Sequence, residues 1–291
     1  MSAVTAWWHD PWRKPRLLAA ATIAYLCWSL LPVLIAVAVS FNDGRSRTVW
    51  QGFSFRWYFS DPERSVWHDP TLQTALIQTL RLGIVTTLIT VPLGVMLAIG
   101  LHRWRGRISN GANSMLLLSF VLPETLLAVA LLLVVTNLAL PFTLGTPSQV
   151  IGLVTFQLSY PAILVRARLA TIGPSLEEAA QDLGASPLSA QRRVILPMLV
   201  PAIVASSVLV FADVIDDFVI VRYLSGDSST EPTSVKIYNT ARAAPTPALN
   251  ALATLMLVAA MLAVALGFLA YRWLGRRAGE SDSIGAFTGE A

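Results

Sequence analysis

Six long apolar runs, divided by polar stretches that carry most of the arginines, constrain this chain more than any other feature. An α-helix rises about 1.5 Å per residue, so about 20 apolar residues cross the roughly 30 Å of bilayer hydrocarbon. Residues 17–40, 82–101, 115–136, 149–165, 202–221 and 251–271 qualify. The fourth is short and holds Gln157, Tyr160 and Pro161, but dropping it would break the alternation of charge between the two sides. Backbone polar groups in hydrocarbon must bond to one another, and a helix does this within one segment. The expected fold is therefore all-α, a polytopic bundle of six transmembrane helices filling residues 1–277. A polar, Gly- and Ser-rich stretch at 278–291 reads as a disordered tail. No internal repeat is evident.

Composition agrees. Charged residues are 13% of the chain and hydrophobic residues 55%, against about 25% charged in an ordinary soluble domain. The net charge of +4 does not indicate nucleic acid, because the basic residues cluster at the ends of apolar runs and not along one face. Thirteen of them, from Arg13 and Lys14 through Arg103, Arg166 and Arg193 to Arg277, fall on one set of ends, and seven, including Arg45, Arg64 and Arg222, on the other. Short cytoplasmic loops favour Lys and Arg, which predicts cytoplasmic termini and a cytoplasmic loop at 166–200. The first run follows Arg13, Lys14 and Arg16, yet it is too long for a usual signal core and reads as an uncleaved anchor. On the opposite side lie two long segments, one rich in Trp and Phe and one with a short helix near 235–243. Cys27 sits in an apolar run, and His9, His68 and His102 lack metal-ligand spacing. There is no Gly-x4-Gly-Lys-[Ser/Thr] loop for nucleotide phosphates and no hydrolase or metalloprotease motif, so a non-catalytic role is expected.

The loop between the fourth and fifth runs reads as two short helices. Ser175 is placed to cap the first, with Glu178 three residues on completing a capping box and Gly184 permitting the stop. Ser186 is placed to cap the second, with Pro187 at its first position. Leu176, Ala179, Ala180 and Leu183 fall at i, i+3, i+4 and i+7 and make one apolar face of mainly small residues. Periodicity alone leaves that face equally able to pack beneath its own bundle or to receive another protein.

Glu178-Ala179-Ala180, then Gly184, then Ile195-Leu196-Pro197 resembles the EAA signature of ABC importer permeases in both spacings. The resemblance implies the type I importer fold and a docking loop in which Glu177, Glu178, Ala179, Ala180, Asp182, Gly184, Ile195, Leu196 and Pro197 meet a separate ATPase. That partner would bind ATP and Mg, leaving no cofactor in this chain. From residue 78 to 271 the chain is similar to the second of the two unlike permeases of spermidine/putrescine-type importers. The strings that carry this are Pro123-Glu124, Val165-Arg-Ala-Arg-Leu169, Phe211-Ala-Asp-Val-Ile-Asp-Asp-Phe218 and Asn250-Ala-Leu-Ala-Thr254. Implied partners are two ATPase subunits, a second permease, an extracytoplasmic solute-binding protein and a small cationic substrate, in a bacterial inner membrane.

Four acidic residues stand in or near apolar runs: Glu124, Asp213, Asp216 and Asp217. Each carboxylate at the bilayer centre costs on the order of 2.5 to 3.5 kcal/mol on insertion scales, so such residues usually line a pathway. In one continuous helix Asp213 and Asp217 would be a turn apart on a shared face. A row of carboxylates in a wet cavity would attract a polycation, and the competing reading pairs them with basic residues at the membrane edge such as Arg222. Importers of iron, phosphonate or sugar, and an ion-coupled secondary transporter, are the alternatives.

Overall fold

The computed structural model describes residues 16–277 apart from 47–48, 105, 139 and 244–245. The expected tail at 278–291 lies outside the described residues, as do residues 1–15. Twelve α-helices and two five-residue π turns, Arg56–Ser60 and Gln191–Ile195, occur among the described residues, with no strand beyond a single bridge between Asn42 and Phe53. They are α1 (Arg16–Ser40), α2 (Pro70–Arg103), α3 (Arg107–Val121), α4 (Glu124–Asn137), α5 (Thr146–Gln157), α6 (Ser159–Ile172), α7 (Ser175–Asp182), α8 (Pro187–Ala190), α9 (Leu196–Asp216), α10 (Val219–Leu224), α11 (Thr233–Ala243) and α12 (Pro247–Arg277). Among the described residues five helical stretches are long and apolar enough to cross a membrane, and a sixth is formed if the bent pair α3 and α4 counts as one.

Local chemistry accounts for where the helices start and break. Asp69 accepts the Thr71 N–H at 2.8 Å, and Pro70 supplies the preset φ of a first turn, so α2 begins well before the apolar run. The expected single span at 115–136 is instead two helices bent by 105°. Pro123 lacks an N–H and pushes Leu122 out of the helical region, to ψ 132°. The fourth span is longer than expected, because α5 and α6 run on through Leu158 in helical conformation. Pro161 cannot donate to the Gln157 carbonyl, which is where that helix shifts. The fifth span also differs: α9 ends at Asp216, Asp217 is extended at ψ 132°, and α10 follows.

The core lies where α2, α6 and α9 pack on one another, flanked by α4, α5 and α10, with Leu82, Leu153, Val165, Leu199 and Val210 buried. Glycines allow the close approaches. A Cβ on Gly94 would lie 2.4 Å from Pro161 Cγ, and one on Gly83 would lie 2.9 Å from Ile215 Cγ2 and Phe211 Cε2. Buried amides tie the same helices: Gln78 Nε2 donates to Gln149 Oε1 at 2.8 Å, and Gln149 Nε2 donates to the Thr230 carbonyl at 2.9 Å. Such bonds replace water that the membrane interior does not supply.

Outside this core the surface is apolar. Along α1, Leu17, Trp28 and Leu34 are all more than half exposed, and α1 touches only α12 substantially. A water-soluble monomer rarely leaves so wide an apolar surface uncovered, whereas lipid covers it without cost. The aromatic segment between α1 and α2 is ordered. Trp57 is fully buried against α12 and donates its Nε1 hydrogen to the Asn42 carbonyl at 2.6 Å. Beside it, burial pushes the Asp61 carboxyl up, but the N–H groups of Glu63 and Arg64 and the Arg56 guanidinium outweigh this and hold it below the ordinary carboxylate range.

Candidate functional site

Two groups of residues stand apart from the packing core, and one helix joins them. The first is the hairpin of α7 and α8. Its first helix starts differently from the capping-box expectation: Pro174 is already helical at φ −82°, ψ −20°, so Ser175 falls inside α7 and its side chain caps nothing. The stop is as expected. Gly184 adopts φ +87°, its N–H reaches the Gln181 carbonyl at 2.8 Å, and the Ala185 N–H reaches the Ala180 carbonyl at 3.0 Å. These two bonds satisfy the last carbonyls of α7 and require the left-handed residue between them. Ser186 Oγ then accepts the Ser189 N–H at 3.3 Å, with Pro187 in the first turn of α8.

This hairpin faces outward. No residue of α7 is buried, and Leu183 and Leu188 are 90% and 66% exposed. Glu178, Ala179, Asp182 and Gly184 are exposed, and Ala180 is half-buried. Two attachments hold the hairpin to the bundle. Arg103, in the last turn of α2, forms an ion pair with Glu177. On the other side a five-residue π turn, Gln191–Ile195, leads directly into α9 and buries Ile195 in the core, while Leu196 and Pro197 open α9 at its surface. A cavity of about 300 Å³ lies between these attachments, lined by His102, Arg103, Glu177 and Gln191.

The second group lies at the other end of α9. Glu124 occupies the first turn of α4, placed there by the break at Pro123. Its carboxyl adjoins that of Asp217 within hydrogen-bonding reach, and Asp213 is close enough to act on Asp217. Gln157 Nε2 donates to Asp213 Oδ2, whereas Gln157 Oε1 is buried with no partner. Tyr160 faces Asp213 and Glu124, and its ring lies 5.2 Å from that of Phe120. Asp213 and Asp217 therefore do not share one helical face. Asp217 turns away from α9 and accepts the Val221 N–H at 3.1 Å, which caps the start of α10. Asp216 is exposed, as Asp213 is, and among the described residues its side chain makes no hydrogen bond or ion pair.

Three elements thus bring three carboxyls together, and among the described residues none of the three has a cationic partner; the ion pairs present are Arg56–Asp61 and Arg103–Glu177. Adjacent carboxylates repel unless a proton or cation lies between them. The arrangement can therefore hold a positively charged group, with Gln157 Oε1 as a further acceptor and the Tyr160 ring as a cation-attracting face. Gln157, Tyr160 and Phe120 were not expected as site residues. Their signal in the sequence was two polar side chains in an otherwise apolar run, next to Pro161.

A model of the family described as binding-protein-dependent transport system inner membrane component matches residues 90–280, which contain both groups. The chain is 33% identical over 273 residues to the putrescine transport system permease protein PotI of Escherichia coli, covering 92% of each. It is 34% identical over 242 residues to the spermidine/putrescine transport system permease protein PotC of Haemophilus influenzae, covering 83% of this chain and 91% of that one. The fold is similar to that of a chain in a bacterial ABC transporter that imports the acidic polysaccharide alginate, with TM-score 0.72, 17% identity and coverage of 88% and 95%. It is also similar to a chain of the MetNI methionine ABC transporter in its inward-facing form, with TM-score 0.58, 18% identity and coverage of 71% and 98%. With a family match over most of its length and relatives above 30% identity, the chain belongs to the binding-protein-dependent transport system inner membrane components.

Proposed function

We propose that this chain is a permease subunit of an ATP-driven importer of polyamines such as putrescine and spermidine. The observation that carries the substrate is the group of Glu124, Asp213 and Asp217, which has no cationic partner among the described residues. A diamine or triamine places ammonium groups several bonds apart, and separated carboxylates meet them one by one. The names of the similar permeases from Escherichia coli and Haemophilus influenzae support the same class. The alginate importer, whose cargo is acidic, shares only the fold.

In this reading the hairpin seats in a groove of a cytoplasmic ATPase, with Leu176, Ala179, Ala180 and Leu183 as the contact face. Glu177, Glu178, Asp182 and Gly184 set the pose, and Ile195, Leu196 and Pro197 pass the motion into α9. That helix has 21 residues and spans about 30 Å, with Asp213 near its far end. ATPase closure that pulls the hairpin thus displaces one wall of the carboxylate group, which changes access to it. Two ATPase subunits that bind ATP and Mg, a second permease and an extracytoplasmic solute-binding protein complete the machine, and this chain carries no catalysis. Both termini and the hairpin lie on the cytoplasmic side of the inner membrane. The test is ATP-dependent uptake of labelled putrescine and spermidine by cells with and without the gene. Uptake that requires the gene is expected, and unchanged uptake removes the substrate assignment.

A further inference from the structure

A cavity of about 770 Å³ opens between α2, the start of α5 and the segment before it, away from both groups described above. Its lining includes the apolar side chains Val85, Phe142, Leu144 and Ile151, together with Arg81 and Thr146. Arg81 is exposed and, among the described residues, forms no ion pair or side-chain hydrogen bond. It immediately precedes the apolar run of α2, and the next charged residue along that helix is Arg103. The rise between them is about 33 Å, close to the roughly 30 Å of hydrocarbon, so the two arginines bracket the membrane interior. Arg103 meets Glu177 at its end, while Arg81 meets no acid.

Beyond Arg81 toward the membrane centre, α2 turns Ile84 and Leu88 outward, 52% and 68% exposed. Arg81, Ile84, Val85 and Leu88 stand at i, i+3, i+4 and i+7, so the cavity-lining residues of α2 share a face with these exposed apolar side chains. Its charge calls for an anion at headgroup depth, and its walls call for an apolar chain attached to that anion. A free anion would satisfy Arg81 but leave Val85, Phe142 and Ile151 uncovered.

We propose that this cavity binds an anionic phospholipid, with the Arg81 guanidinium donating to its phosphate oxygens and an acyl chain lying against Val85, Phe142 and Ile151. A guanidinium fits a phosphate through two parallel hydrogen bonds, which an ammonium does not reproduce. The site rests on the membrane-embedded fold and is independent of which solute is carried.

Native mass spectrometry of the full-length chain in detergent tests this, with dioleoylphosphatidylglycerol, dioleoylphosphatidylcholine and glycerol 1-phosphate as probes. The expected result is preferential retention of phosphatidylglycerol, weakened about fivefold by Arg81→Gln, the effect of one basic residue at an anionic lipid surface. Arg64→Gln, an exposed arginine outside the cavity, leaves retention unchanged. Ile151→Trp fills the groove with Arg81 intact and lowers retention of both lipids, and Arg81→Lys keeps part of the preference. Equal phosphatidylglycerol affinity in Arg81→Gln overturns the proposal. So does glycerol 1-phosphate displacing the lipid, which would make the cavity a free-anion site. Arg81→Gln that releases a partner permease without altering lipid retention would assign the cavity to a protein interface instead.

Discussion

The hairpin and the carboxylate group occupy opposite ends of α9 and are built by opposite means. The hairpin is shaped by neighbours in sequence, through two backbone bonds around Gly184 and one serine cap at Ser186, and one long-range ion pair, Arg103 to Glu177 across 74 positions, ties it to the bundle. The carboxylate group is assembled from α4, α5, α6, α9 and the turn before α10, with Gln157 and Asp213 separated by 56 positions. The shape of the hairpin therefore depends on its own backbone, while the carboxylate group depends on every helix that supplies it. The difference also suits their roles. The exposed hairpin fits the docking role proposed for it, and a group supplied by several helices fits a proposed cation site that changes when one wall moves.

Substitutions separate the two ends. The largest effect is expected at the carboxylates: Glu124→Gln or Asp217→Asn should weaken putrescine uptake affinity about 10- to 100-fold, the value of one or two charge-assisted hydrogen bonds. Co-purification with the ATPase should not change, as measured by affinity capture from membranes. Next, Gly184→Ala places a Cβ at φ +87°, a cost of roughly 1–2 kcal/mol. It should reduce ATPase capture about tenfold while membrane insertion persists. A normal capture level would separate the hairpin from docking. Arg103→Ala and Glu177→Ala should each lower capture by no more than about fivefold, because exposed ion pairs contribute at most about 1 kcal/mol. The double variant should match the single ones, and additive losses would mean the two residues act separately. The smallest effect is expected at Asp216→Asn, where uptake should stay within about twofold, as for an uninvolved surface position.

The contrast in construction also explains what could be read before the structure. Gly184, Ser186 and the spacing to Pro197 act over a few residues, so their local chemistry and their likeness to a known signature were both legible. The exception, Ser175, failed for a local reason: Pro174 had already entered the helix. At the carboxylates, composition singled out Glu124, Asp213 and Asp217 as costly residues, but not how they meet. Treating 202–221 as one helix placed Asp213 and Asp217 on one face, and the turn at Asp217 undoes that. Pro123 announced a kink, but the 105° bend that brings Glu124 to Asp217 is set by packing between helices far apart in sequence. Gln157 and Tyr160 were visible only as blemishes in a weak span, because their partners lie on other helices.

The most direct test uses the two neighbouring aspartates that the structure sends in different directions. ATP-dependent uptake of labelled putrescine should be compared for Asp217→Asn and Asp216→Asn at equal membrane abundance. The account predicts that the first collapses and the second transports normally. Normal transport by Asp217→Asn, or an equal loss in both, would contradict it.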